Sequence, residues 1–140
     1  MKILFDTNIV LDVLLDREPF SDLATKLLSR AEKKELNGFL GATTVTTIYY
    51  LASKVGGKKK AEQEINKLLS IFQIAPVNQS VLVEAFKSKF TDFEDAVLHE
   101  AAKQIGAQGI VTRNPKDFKN ATLSIYSPAE LDKILVSIIH

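Results

Sequence analysis

Cysteine and tryptophan are both absent from the 140 residues of this chain. Without thiols there are no disulfides, no thiolate nucleophile and no cysteine-ligated metal, so the core must close by packing alone. A single domain spanning 1–140 is long enough to do that without covalent staples. An excess of one charge sign is also missing. Lys+Arg 18 against Asp+Glu 17 leave a net charge of +1, so no whole-molecule field attracts nucleic acid or anionic lipid, and any polyanion site has to be a local patch. No apolar run approaches the roughly 18 residues of a membrane span, and the first residues meet charge at Asp6 and Asp12, unlike a signal peptide. The expectation is a soluble, cytoplasmic protein with no membrane partner. Three motifs are missing as well: Gly-x-x-x-x-Gly-Lys, Gly-x-Gly-x-x-Gly and Gly-x-Ser-x-Gly. Nucleotide cofactors therefore have no phosphate cradle, and acyl transfer has no nucleophile elbow.

What is present alternates between short apolar runs and helical patterns. Ile3-Leu4-Phe5 is an unbroken apolar run of the kind a strand buried on both faces requires, and it ends abruptly on Asp6-Thr7-Asn8. Ile9 to Asp16 reads as a helix packed on a sheet, closed near Pro19. Phe20 to Glu35 reads as an amphipathic helix with Leu23, Leu27, Leu28 and Ala31 on one side. A strand is predicted within Leu36–Ala42, then a helix starting at Thr43-Thr44 and stopping at Gly56-Gly57. Another begins at Lys58 with Ile65, Leu68, Leu69 and Phe72 as its stripe. A short strand at Ile74–Val77 precedes a helix over Ser80–Lys89 with Val81, Leu82, Ala85 and Phe86 inward. Thr91 with Glu94, or Asp92 with Asp95, caps a helix running to Ile105 and stopped by Gly106. Strands follow at Gln108–Thr112 and Leu123–Tyr126, and Ser127-Pro128-Ala129-Glu130 opens a last helix over Leu131–Ile139. This alternation, free of repeats and linkers, predicts an α/β fold: a three-layer α/β/α sandwich around a mostly parallel sheet.

In parallel sheets ligands bind beyond the carboxyl ends of the strands. Three stretches place acids where such a fold brings chain together: Asp6 after the first strand, Asp92 and Asp95 at a helix start, and Asp117, with Asn114, after a later strand. Oxygen-rich sets of this kind suit Mg²⁺ or Mn²⁺, and metal-assisted phosphodiester hydrolysis is the matching chemistry. Each acid taken alone is more readily read as a helix cap, a turn residue or a solvated charge. His99, four residues after Asp95, is a metal ligand or a packed histidine. Thr43, Thr44, Thr46 and Thr47 are site hydroxyls or simply a helix start. Lys54, Lys58, Lys59 and Lys60 form either a phosphate-tracking patch or a solvated helix start. Tyr49 and Tyr50 offer rings for base stacking or for the core.

Ile3–Asn8 with Asp12–Leu15, then Asp92–Ala96, then Ile110–Asn114 with Asp117-Phe118, resemble in order and spacing the PIN domain family, particularly its small VapC-like toxins. The resemblance spans essentially the whole chain. It implies a Rossmann-like sandwich, an Mg²⁺- or Mn²⁺-dependent ribonuclease acting on RNA, frequent homodimers and often an antitoxin protein that occludes the site. Carried over, Asp6, Asp95 and Asp117 match metal-binding positions and Asp92 assists them in catalysis. Thr7, Asn8, Thr112 and Asn114 would orient ligands and water from behind, and Lys54, Lys58, Lys59, Lys60 and Arg113 would contact nucleic acid. One position departs: where the family usually carries a glutamate in its middle helix, this chain has Thr47, one negative charge fewer at the metal site. Two readings follow. The chain is a metal-dependent endoribonuclease, or it is a degenerate PIN-fold module that binds RNA or a protein without cleaving. A phosphotransfer role with Asp6 as nucleophile fits less well, because Asn8 stands where the second aspartate would serve as acid.

Overall fold

A computed structural model describes residues 1–139. Five strands form one sheet: β1 (Lys2–Phe5), β2 (Asn37–Gly41), β3 (Gln73–Ala75), β4 (Gly109–Val111) and β5 (Ser124–Tyr126). Their order is β3-β2-β1-β4-β5, and every pairing is parallel. Among the described residues, six helices lie between the strands, α1 (Thr7–Leu14), α2 (Ser21–Glu32), α3 (Ala42–Gly56), α4 (Lys58–Ile71), α5 (Gln79–Lys87) and α6 (Phe93–Gln104), and α7 (Pro128–Ile139) follows β5. A 3-10 turn spans Pro115–Phe118.

The strands alternate sides as a pleat demands, so the sheet has two cores. Ile3, Phe5, Leu40 and Val111 pack with α1, α2, α3, α4 and α7, while Leu4, Phe39, Ala75 and Ile110 pack with α5 and α6. Helices on both faces explain why β1 is continuously apolar. Pro76 lies just beyond β3, an edge strand, where a missing N–H costs no ladder bond. Gly106, at φ +72, ends α6 through bonds from its own N–H to Lys103 and from Ala107 N–H to Ala102. Arg30 of α2 ties down α7 through Asp132 at 2.7 Å.

Several expectations about helix faces are corrected. Leu69, Leu82 and Phe86 are exposed. In α4 the buried positions are Ala61, Leu68 and Ile71, and in α5 only Val81 and Ala85 are fully buried. Each short helix turns just one narrow stripe to its neighbours, and a hydrophobic residue a third of a turn away falls outside it. α3 starts at Ala42, with Gly41 in extended conformation before it, one to two residues ahead of Thr43-Thr44.

Winding from β1 runs one way to β2 and β3, then jumps back across β1 to β4 and β5. The reversal leaves a crevice at the carboxyl ends of β1 and β4, the place where open α/β sheets bind ligands.

Candidate active site

Asp6 and Thr112 stand on either side of that crevice, immediately after β1 and β4. The Asp6 N–H donates to Val111 O at 3.0 Å, and Thr112 N–H donates to Tyr126 O at 2.9 Å, so backbone ladders hold both residues in place. Thr112 Oγ1 donates to Asp6 Oδ2 at 2.8 Å and accepts from Asn114 N–H at 3.1 Å. One buried hydroxyl thus orients the Asp6 carboxylate and shapes the turn that leads to Asp117. Asn114 in turn accepts from Asp117 N–H at 3.0 Å, starting the 3-10 turn that carries Asp117.

On the opposite face of the sheet, α6 brings its first turn to the same mouth. Asp92 is its cap, with Oδ1 accepting from Asp95 N–H at 2.9 Å, which decides between the two cap pairings in the sequence. Asp95 is half-buried and its carboxyl is pushed up from 3.8 to about 7, first by burial and then by Asp92, Asp6, Asp117 and Glu94. The Asp6 carboxyl is likewise raised by burial, against the stabilising bonds from Thr112 and the Thr7 backbone, with Glu94 and Asp117 adding to the rise. Asp6 and Asp95 thus feel acids that are distant in sequence, and the fold rather than the chain order is responsible.

The expected residues divide accordingly. Asp6, Asp92, Asp95, Asp117, Thr7, Asn8, Thr112 and Asn114 all lie at the sheet's carboxyl edge or on the turns leaving it. Glu94 joins the acids although nothing in the sequence separated it from a cap residue. In the middle helix, the hydroxyl at the mouth is that of Thr44, buried and 2.7 Å from Thr7 Oγ1, the residue next to Asp6. Thr47 is half-buried one turn further along α3. The spacing of strand end and helix start could have pointed to Thr44, since it lies just after β2 as Thr7 lies just after β1.

Other candidates lie elsewhere. Lys54 is in the last turn of α3 and Lys58, Lys59 and Lys60 open α4, so that Lys54 lies about 15 Å along the α3 axis from Thr44. Arg113 faces inward: its Nε is 3.1 Å from Asp12 Oδ2, and its guanidinium lies over the Phe20 ring at 4.2 Å. Asp12 is fully buried with Arg17 also 3.7 Å away; burial raises its carboxyl, and Arg113 and Arg17 oppose that. His99 is buried behind the site, its Nε2 accepting from Thr122 N–H at 3.0 Å. Burial holds its imidazole below its ordinary value. Tyr50 is exposed under Lys54.

A hard divalent cation is the natural counter-charge for such a set. The donors are mainly carboxylate and hydroxyl oxygens, and the proton that burial, and after it the neighbouring acids, holds near neutrality on Asp95 is what a dication would displace. Among the described residues, no three of His, Cys, Asp and Glu stand close enough to enclose an ion by themselves. The set is therefore an open one, of the type in which water and phosphate oxygens complete the shell.

Known proteins resemble this chain in sequence and in fold. Ribonuclease VapC1 from Aquifex aeolicus (strain VF5) is 23% identical over 134 residues, covering 92% of each chain. The toxin-antitoxin complex from Klebsiella pneumoniae contains a chain with a TM-score of 0.69 at 22% identity, covering 90% of this chain and 97% of that one. VapBC2 from Rickettsia felis, bound to a DNA fragment from its promoter, gives 0.71 at 16% identity over 91% and 98%. At such identities the likeness of structures establishes the fold. The family model for the PIN domain matches residues 2–116, from the first strand through the turn that carries Asn114. With that match over most of its length, the chain belongs to the PIN domain family.

Proposed function

We propose that this protein is a metal-dependent endoribonuclease that hydrolyses RNA phosphodiester bonds, and that it is the toxin of a toxin-antitoxin pair. The observation that carries the reading is the convergence of Asp6, Asp92, Glu94, Asp95 and Asp117 on one crevice, where the other four acids add to the burial that pushes Asp95 up to about 7. Asp6, Asp95 and Asp117 would hold Mg²⁺ or Mn²⁺ directly or through water, with Asp92 and Glu94 adding negative potential. Bound there, the cation would acidify water and neutralise charge on the phosphate oxygens. Thr112 keeps the Asp6 carboxylate aimed into the crevice, and the Thr7–Thr44 pair closes the floor beside it.

The relative named as a ribonuclease and the relatives solved as toxin-antitoxin complexes support the substrate class and an antitoxin partner. A homodimer in the cytoplasm belongs to the same reading; no helix among the described residues is long and apolar enough to cross a membrane. The test is cleavage of structured and unstructured RNA in Mn²⁺, Mg²⁺ and EDTA by the wild-type protein and by Asp6→Asn and Asp95→Asn. Metal-stimulated cleavage lost in both variants is expected. Absence of cleavage under every condition, with RNA binding that persists in EDTA, would favour the second reading, a non-cleaving PIN-fold binding module. The openness of the acid set and the hydroxyl at Thr47 are the features that favour that alternative.

A further inference from the structure

An aromatic pair lies in the open beside the acids. Phe86, at the end of α5, is 83% exposed, and Phe93, in the first turn of α6, is 52% exposed. Their rings meet edge to face at 6.4 Å and 81°. Phe93 sits in sequence between Asp92 and Glu94, so whatever touches it is next to the crevice. A soluble protein gains nothing by leaving so large a ring solvated at a site mouth.

The surroundings supply the opposite charge to a phosphate backbone. Lys87 and Lys89 lie in the chain between Phe86 and Phe93 and are exposed; Lys116 and Lys119, on the 3-10 turn and just after it, are exposed too. The two segments are tied together, with Asn120 Nδ2 donating to Lys89 O at 2.9 Å and Phe90 packing on Phe118 at 5.8 Å. Four exposed lysines therefore lie on two joined segments, one running from Phe86 to the start of α6 and the other carrying Asp117, whereas Lys54 and Lys58–Lys60 lie where α3 gives way to α4.

We propose that Phe86 and Phe93 form a stacking platform for an unpaired base of single-stranded RNA, with Lys87, Lys89, Lys116 and Lys119 holding the flanking phosphates. This rests on the nuclease reading for its substrate class and adds how that substrate is chosen. Every base has a π-face, so the platform is tolerant of sequence, but it needs a base free of its duplex. The cleavage site is thereby selected as a loop, bulge or tail in which one base is splayed onto Phe93 while its phosphate neighbour enters the crevice. Leu82 and Val83 continue the apolar surface along α5, so a second copy of the chain is the competing occupant. The lysine border favours the polyanion, since two such borders facing each other across a symmetric contact would repel.

The experiment uses single-stranded RNA carrying 2-aminopurine at successive positions, mixed with the full chain in EDTA so that no cleavage intervenes. Stacking quenches the fluorophore. Phe86→Ala is the primary variant, because a ring so exposed contributes little to folding, and Phe86→Trp is its conservative partner. The wild type should quench at one position. Phe86→Ala should lose that quenching and bind about 5- to 150-fold more weakly, Phe86→Trp should retain both, and an abasic site at the quenched position should weaken wild-type binding equally. Unchanged quenching and affinity in Phe86→Ala would overturn the proposal. So would sedimentation showing that the wild type is a dimer and Phe86→Ala a monomer, which gives the surface to a second copy. Cleavage in Mn²⁺ is scored separately: stacking without cleavage refutes the nuclease reading alone, and cleavage without stacking refutes the platform alone.

Discussion

Replacing Asp95 by asparagine is expected to make the protein more stable while abolishing cleavage. Asp95 is crowded by four other acids, and its carboxyl sits near 7 instead of 3.8. Taken at face value, that displacement is about 4 kcal/mol of unfavourable charge in the folded state at alkaline pH, since each pKa unit is about 1.4 kcal/mol. The side chain is only half-buried, and solvent screening reduces the figure to about 1–2 kcal/mol. For a domain of this size, that is roughly 3–8 °C in Tm. The pH dependence follows from the sign. A carboxyl raised in the folded state leaves stability whole below about 3.8, erodes it as pH climbs to about 7, and costs a constant amount above that. Asparagine carries no charge at any pH, and the cap bond from the Asp95 N–H to Asp92 is backbone-based and survives. The Tm advantage of Asp95→Asn in EDTA should therefore grow from pH 4 to pH 7 and then level off. His99 titrates in both proteins, so comparing them at each pH cancels its opposing contribution. Adding Mn²⁺ should raise the wild-type Tm and leave the variant nearly unchanged, narrowing the gap. An advantage equal at pH 4 and pH 8, or a destabilised variant, would refute the claim that burial and the neighbouring acids raise the Asp95 carboxyl in the free protein.

Three further changes probe how the site is held. Thr112→Val removes the bond to Asp6 Oδ2 and the acceptor for Asn114 N–H; it should cost about 1–3 kcal/mol in urea unfolding and shift the pH–rate profile upward as Asp6 becomes harder to ionise. Thr112→Ser should restore the profile, and a profile unmoved by valine would show that the hydroxyl does not tune Asp6. Asp12→Ala leaves Arg113 and Arg17 without their buried carboxylate and should cost about 3 kcal/mol, the low end for a broken buried pair because both cations can reach water. The double change Asp12→Leu with Arg113→Met should recover most of it in the same titration. At Gly109 an added Cβ would fall 2.6 Å from the Ser124 carbonyl oxygen and 2.6 Å from the Tyr126 ring, whereas at Gly41 it would meet the end of the Leu98 side chain. Gly109→Ala should therefore lower the denaturation midpoint more than Gly41→Ala, because a backbone oxygen in a sheet cannot step aside as a leucine methyl can.

Periodicity and punctuation were enough to place most elements. The apolar run of β1, the stop at Gly106 and the reciprocal Ser127–Glu130 cap are local physics, with the last confirmed by bonds of 2.8 and 3.1 Å. Helix faces were less legible. Leu82 and Phe86 have the right spacing for an inward stripe, yet α5 presents only Val81 and Ala85 fully to the core, because which arc of a short helix is covered depends on where the next helix lies. The acids divide in the same way. Asp6, Asp92, Asp95 and Asp117 stood out by following strands or opening a helix, while Glu94 had no distinguishing context and joined them only through α6's position against the sheet.

The sequence by itself determined that this is a parallel α/β domain whose polar residues gather after apolar strands, since buried strands must be apolar and charge must wait for their ends. It also carried the spacing that places the chain in the PIN domain family. Only the tertiary structure decided which polar groups meet. The reversal of winding between β1 and β4 puts Thr112 on Asp6 across 106 positions of sequence, turns Arg113 inward onto Asp12, and separates the α3–α4 lysines from the crevice by the length of a helix. It also set Phe86 and Phe93 edge to face at the mouth. Local spacing selects an element's type and ends; distances between elements come from packing two helical layers on one twisted sheet, and the site is made of those distances.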